Sequence, residues 1–129
     1  MQAKAKISIE RGGISAPSQM VPSGAVVEAL LALRGGRDAT FEVAPEGRDS
    51  RILIAVDGTD AVVGLVEPDA VYELSDPKRA GGPARRFIIG GQETSIASEF
   101  SVRLDHAAKV VEAWLEGDGS PPVGRWVRR

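Results

Sequence analysis

At 129 residues and 43% hydrophobic content, the chain is large enough for one ordinary core, so residues 1–129 are expected to form a single domain. The formal net charge of −2 argues against binding nucleic acid by phosphate neutralisation, and the absence of cysteine excludes disulfides and thiolate zinc sites. The opening MQAKAKISIERGG has no apolar run of signal-peptide length, and no stretch approaches the ~18 apolar residues of a membrane helix, so a cytoplasmic protein with no membrane partner is expected.

Residues 3–10 (AKAKISIE) alternate, with Ala5, Ile7 and Ile9 on one side and Lys4, Lys6, Ser8 and Glu10 on the other. That period of two predicts a half-buried strand whose lysine-bearing side suits a sheet edge. Gly12, Gly13, Pro17 and Pro22 make 11–22 a loop. Ser23 is expected to cap a helix running to about Arg34, with Val26, Val27, Leu30 and Leu33 as its buried stripe and Gly35-Gly36 as its stop.

From Ala39 to Ile96 the pattern changes to period two or to short apolar runs. ATFEVA turns Phe41 and Val43 inward, and RILIAV is apolar enough for a central strand covered on both faces. Asp57-Gly58-Thr59-Asp60 predicts a tight hairpin turn, with AVVGLV returning beside RILIAV. AVYEL is another short strand, SDPKRAGGPAR a polar loop, and RRFIIG leads through Gly90-Gly91 back along QETSIA.

The strongest periodic signal follows. Leu104, Ala107, Ala108, Val111 and Leu115 fall on one face of a 3.6-residue helix, widened by Val110 and Trp114. Asp105 and Lys109, four apart, are expected to pair on the wet side, and Leu115 to be more buried than Trp114. The preceding strands are the expected partner of this helix. Gly117 suits a left-handed cap, Pro121-Pro122 forbid a restart, and a strand around Trp126 closes the chain. The order predicts an α+β fold: a mainly antiparallel meander sheet with two amphipathic helices packed on one face.

Chemistry is sparse. The single histidine, His106, sits in the first turn of the last helix; Ser98 and Ser101 are near in sequence, but neither occupies a nucleophile elbow. The glycine pairs fit neither GxxxxGK[ST] nor GxGxxG and read as turns. Glu93, after Gly90-Gly91-Gln92, is a conceivable general base with no visible partner. Neither an enzyme nor a metal or cofactor is expected. One asymmetry stands out: between Ile52 and Pro77 there is no lysine or arginine, while Asp57, Asp60, Glu67, Asp69, Glu73 and Asp76 all fall there. That is either ordinary solvated acid or a patch that steers a basic protein partner, with Tyr72 as an aromatic anchor.

Phe87–Ile89, Gly90-Gly91-Gln92, Thr94, the helix AAKVVEAWLEGDG, the proline pair and Trp126 together form a recognisable pattern. It resembles the C-terminal half of immunity protein family one of bacterial polymorphic toxin systems. Ile89 stands where that family often has an aromatic, and Val127-Arg128 where an acidic residue often follows the tryptophan. The resemblance implies a non-catalytic inhibitor made beside a secreted toxin, often a nucleic-acid deaminase, whose active site it occludes. Its signature adds Gln92, Glu93 and Trp126 to the candidate partner contacts. The implied partner is the cognate toxin domain, met by a protein that is monomeric when free. Two other classes stay open: a small-ligand-binding or enzymatic α+β domain with a pocket between helix and sheet, and an assembly subunit with a large apolar face.

Overall fold

In chain order the strands are β1 (Lys4–Arg11), β2 (Ile14–Ser15), β3 (Gln19–Pro22), β4 (Ala39–Pro45), β5 (Arg51–Asp57), β6 (Asp60–Val66), β7 (Val71–Ser75), β8 (Arg85–Ile89), β9 (Gln92–Ile96), β10 (Val102–Arg103) and β11 (Arg125–Arg128). Helix α1 (Val26–Leu31) lies between β3 and β4, and α2 (Leu104–Leu115) between β10 and β11. The computed structural model describes residues 3–117 and 119–129. The fold is α+β.

The main sheet runs β11-β7-β6-β5-β4-β1, with β2 and β3 successively along the far side of β1 and β10 beside the start of β6. β8 and β9 make a separate two-stranded sheet, and every described ladder is antiparallel. Alternation along the strands decides which side chains meet. Phe41 and Val43 of β4, Ile52, Ile54 and Val56 of β5, and Ala61, Val63 and Leu65 of β6 share one core with Val26, Leu30 and Leu33. Leu104, Ala107, Ala108, Val110, Val111 and Trp114 of α2 complete it, and α1 packs against α2. Each fully buried valine, leucine, isoleucine or phenylalanine among them contributes ~1.5–3 kcal/mol by leaving water, before the entropy of ordering it is charged.

Side chains of the other parity on β5, Leu53, Ala55 and Asp57, face the reverse side. Ala55 is buried yet lies outside the helix-side core, and so does Phe87 on β8, which neighbours β5 and β4. The β8–β9 hairpin therefore covers part of the reverse face. Of the strands that precede α2, the β8–β9 hairpin is not its main partner; α2 packs on β6, β10 and α1. The hairpin carries one fully buried side chain, Phe87, and too little apolar surface to support a twelve-residue helix.

Several local expectations are corrected. β1 is not an edge, because the presumed loop 11–22 pairs with it as β2 and β3, closing with Lys4 opposite Pro22. Ser23 does not cap a helix: Pro22 precedes a 3₁₀ turn, Ser23–Ala25, and α1 begins after Ala25 with no side-chain cap. α1 stops at Leu31, and the chain tightens through three-apart bonds from Leu33 N to Leu30 O and from Arg34 N to Leu31 O. Arg34 then reaches Asp105, which takes that carboxylate from the expected Lys109 pair and ties α1 to α2. The expected hairpin turn is present, Asp57 facing Asp60, with Gly58 at φ +64°. Its tip is held from both sides: Gly35 N donates to Gly58 O (2.8 Å) and Leu104 N donates to Thr59 O (2.8 Å).

Candidate protein-binding site

Most of the acidic run is already paired within the chain. Asp57 and Asp60, candidates for a steering patch, do not project freely into solvent; Asp60 is only 8% exposed and Asp57 is half-buried. Both face the side covered by β8, where Arg85 pairs with Asp60 and, at 3.4 Å, with Asp57. Arg79 lies 3.7 Å from Asp60, and Arg37 lies 3.9 Å from Asp57. On the same face Glu73 meets Arg129 at 2.9 Å. Asp76 accepts a hydrogen bond from Lys78 N at 3.1 Å. The cations the strand segment lacks come from elsewhere in the chain: Arg79 and Arg85 from the loop and hairpin that follow it, Arg37 from the α1–β4 connection and Arg129 from the C-terminus.

Glu67 and Asp69 are different. Among the described residues neither makes a salt bridge or a side-chain hydrogen bond. They rim a cleft of about 440 Å³ whose other walls are Leu65, Tyr72, Gly119 and Trp126. Register explains the floor. Leu65 pairs with Tyr72, and Trp126 pairs with the core residue Leu74, so all three rings and chains lie on the helix-side face of the sheet. Tyr72 pairs with Arg128, two residues from Trp126, which makes the aromatic pair diagonal neighbours within reach of one another. Both are half-buried, and among the described residues neither the Tyr72 hydroxyl nor the Trp126 indole N–H has a hydrogen-bond partner.

Backbone geometry fixes both walls. Glu67 N donates to Ala70 O (2.8 Å), closing the turn that carries Asp69. On the other side Gly124 takes φ +73° and passes so close to Ser75 O that a Cβ would collide with it. Only glycine lets β11 settle against β7 and lower Trp126 into place.

Gln92 and Glu93 stand apart from this cleft. They lie on the exposed part of the β8–β9 hairpin, where Glu93 pairs with Arg86 at 3.0 Å. Gly91 N donates to Asp38 Oδ1 (3.3 Å), and Asp38 itself holds φ +51°, a left-handed conformation that aspartate tolerates better than most residues. Gln92 and Trp126, both part of the C-terminal signature, are thus carried by different sheets, the β8–β9 hairpin over the reverse face and β11 of the main sheet.

His106 lines a second cleft, of about 480 Å³, with Thr59, Asp60, Asp76, Arg79 and Arg103. Ser98 and Ser101 are not among its walls. Ser98 Oγ donates to Arg79 O (2.6 Å) and accepts from Gly82 N (3.1 Å), while Ser101 Oγ is buried without a partner among the described residues. No group of three or more histidine and carboxylate side chains placed to hold a metal occurs among the described residues. None of the described helices is long and apolar enough to cross a membrane.

Sequence reasoning missed the arginines that quench Asp57 and Asp60. A signal was present: a segment with six acids and no cation of its own must draw cations from elsewhere, and Lys78, Arg79, Arg85 and Arg86 are the next in the chain. Comparison with models of known protein families gives no match, and no curated protein matches the chain.

Proposed function

We propose that this protein is an immunity protein: a non-catalytic, cofactor-free inhibitor that binds a cognate secreted toxin domain and occludes its active site. The observation that carries the reading is the selection among acidic residues. Asp57, Asp60, Glu73 and Asp76 are committed inside the chain, whereas Glu67 and Asp69 are uncommitted and share a cleft with Tyr72 and Trp126. Uncommitted carboxylates beside half-exposed aromatics suit a basic protein surface, such as the substrate channel of a toxin that acts on nucleic acid. The reading takes both helices as packed on one face of a single domain, leaving the β7–β11 end of that face open. It makes the protein cytoplasmic, and monomeric until bound.

The test is protection. The toxin domain encoded beside this protein is expressed in cells with the wild type or with Tyr72→Ala/Trp126→Ala. Wild type is expected to restore growth, and the double variant, if folded by circular dichroism, to lose protection. Growth inhibition unrelieved by wild type would overturn the reading. The alternative, a ligand-binding or enzymatic domain, draws on the His106 cleft, whose lining also includes Asp60 and Asp76. His106→Ala is expected to protect as wild type does; loss of protection in a folded His106→Ala variant would favour that alternative.

A further inference from the structure

Resting on the same cleft but going beyond its assignment to a toxin partner, we infer that it is a receptor for one cationic side chain of the partner, and for arginine in preference to lysine. Three features converge. Its volume of about 440 Å³ lies at the small end of the ~300–1,000 Å³ found for ligand pockets, so it suits a side chain better than a helix or strand. Its lining includes two half-buried aromatic side chains, Tyr72 and Trp126, diagonal neighbours ~7–8 Å apart at the backbone, with Leu65 beside Tyr72 for a methylene stem. Its rim offers two carboxylates, Glu67 and Asp69, that have no cation partner among the described residues.

A planar guanidinium uses all of these at once: it stacks on an aromatic ring while its fork of N–H donors meets a carboxylate. An ammonium supplies the charge without the plane or the fork. Charge also argues against the neighbouring alternative, a partner strand laid along the free side of β11. That edge presents Arg125 and Arg128, both exposed, and would repel a basic segment. Arg128, cross-strand from Tyr72, is a cation of the chain's own beside the floor, and the two rim carboxylates outnumber it.

The probe is N-acetyl-arginine N-methylamide, titrated into the full chain and followed by the indole N–H resonances. There are two tryptophans, and the Trp126 signal is identified by its loss in Trp126→Phe. The expected result is a saturable shift of the Trp126 resonance, with Trp114, which is buried, hardly moving. The lysine analogue should bind several-fold more weakly, and the uncharged citrulline analogue about tenfold more weakly or not at all. Glu67→Gln/Asp69→Asn should lower the affinity for the arginine probe about tenfold. An unmoved Trp126 resonance, or an equal response to citrulline, overturns the receptor. Its failure is separable from that of the inhibitor reading. Protection that depends on Tyr72 and Trp126 without any arginine response leaves an inhibitor that recognises something else. A specific arginine response in a protein that never protects leaves the receptor and removes the toxin.

Discussion

Arg48 closes the C-terminal end of α2 through Trp114: its Nη1 donates to the Trp114 carbonyl at 2.8 Å while the guanidinium lies 5.3 Å from the centre of the Trp114 ring. Its Nη2 donates to Leu115 O at 2.9 Å. The last carbonyls of a helix have no partner within it, and a cation there also meets the negative end of the dipole. One side chain from the β4–β5 connection thus caps a helix 66 residues later. Arg48→Ala is expected to lower stability by ~1–3 kcal/mol, and Arg48→Lys to recover only part, since an ammonium lacks the fork. Urea midpoints measure this; an Arg48→Ala midpoint equal to wild type would show the cap to be solvated and inert.

The same contact settles the order of Trp114 and Leu115. Helical spacing marked Leu115 as the more buried, but Trp114 is 8% exposed and part of the core, whereas Leu115 is only partly buried. Periodicity counts turns and cannot see that the helix ends at Leu115, beyond which no further turn covers it. Trp114→Ala is therefore expected to cost ~3–5 kcal/mol, and Leu115→Ala clearly less, ~1–2 kcal/mol. Equal losses in thermal melts would mean that the ring contributes little packing.

The hairpin, the turn Gly90-Gly91, α2 and the closing strand were all legible, because each is written in local spacing or in a turn residue. The edge was not. β2 and β3 are short and almost wholly exposed, so no apolar period marks them, and Pro22 reads as a breaker although it sits at a strand end. The candidate site was half legible. Glu67, Asp69 and Tyr72 are close in sequence, but their union with Trp126 depends on the pairing of β7 with β11 across fifty residues. Nor can spacing tell a free carboxylate from one that Arg85 will occupy from 25 residues away.

Asp60 illustrates the difference. It is buried, and its partners Arg85 and Arg79 come from the segment that folds over it, so Asp60→Asn removes a charge that holds the hairpin to the reverse face. The expected cost is roughly 1–2 kcal/mol, because Arg85 is 40% exposed and keeps Asp57 as a partner when Asp60 loses its charge. Hydrogen exchange of the β8–β9 amides should speed up more than that of β4 and β5. Unchanged exchange in β8–β9 would show that Phe87 alone anchors the hairpin.

Gly124 offers a backbone probe of the cleft. Gly124→Ala must accept a left-handed φ and a collision with Ser75 O, whereas Gly90→Ala, at φ +59° in open space, meets only the first cost. Gly90→Ala is expected to lose ~1–2 kcal/mol and Gly124→Ala more, with β11 displaced. Emission from Trp126 should report that displacement in Gly124→Ala and not in Gly90→Ala.

Association kinetics discriminate the free acids from the committed ones. Reversal of Glu67 and Asp69 to lysine removes charge that no cation among the described residues uses, so folding stability should change by no more than ~0.5 kcal/mol while association with a basic partner slows. The slowing should be largest at low salt and fade as the Debye length contracts from ~10 Å at 0.1 M to ~3 Å at 1 M. Asp57→Lys faces a different constraint: Arg85 and Arg37 are its neighbours, so it should destabilise the fold before it alters steering. Glu93→Lys, on the β8–β9 hairpin, tests that half of the signature. Stopped-flow association with the neighbouring toxin domain, at two salt concentrations, separates the surfaces. Slower binding by the Glu67/Asp69 variant at unchanged stability places the encounter on the cleft. Wild-type rates there, with binding abolished by Glu93→Lys, would move it to the hairpin.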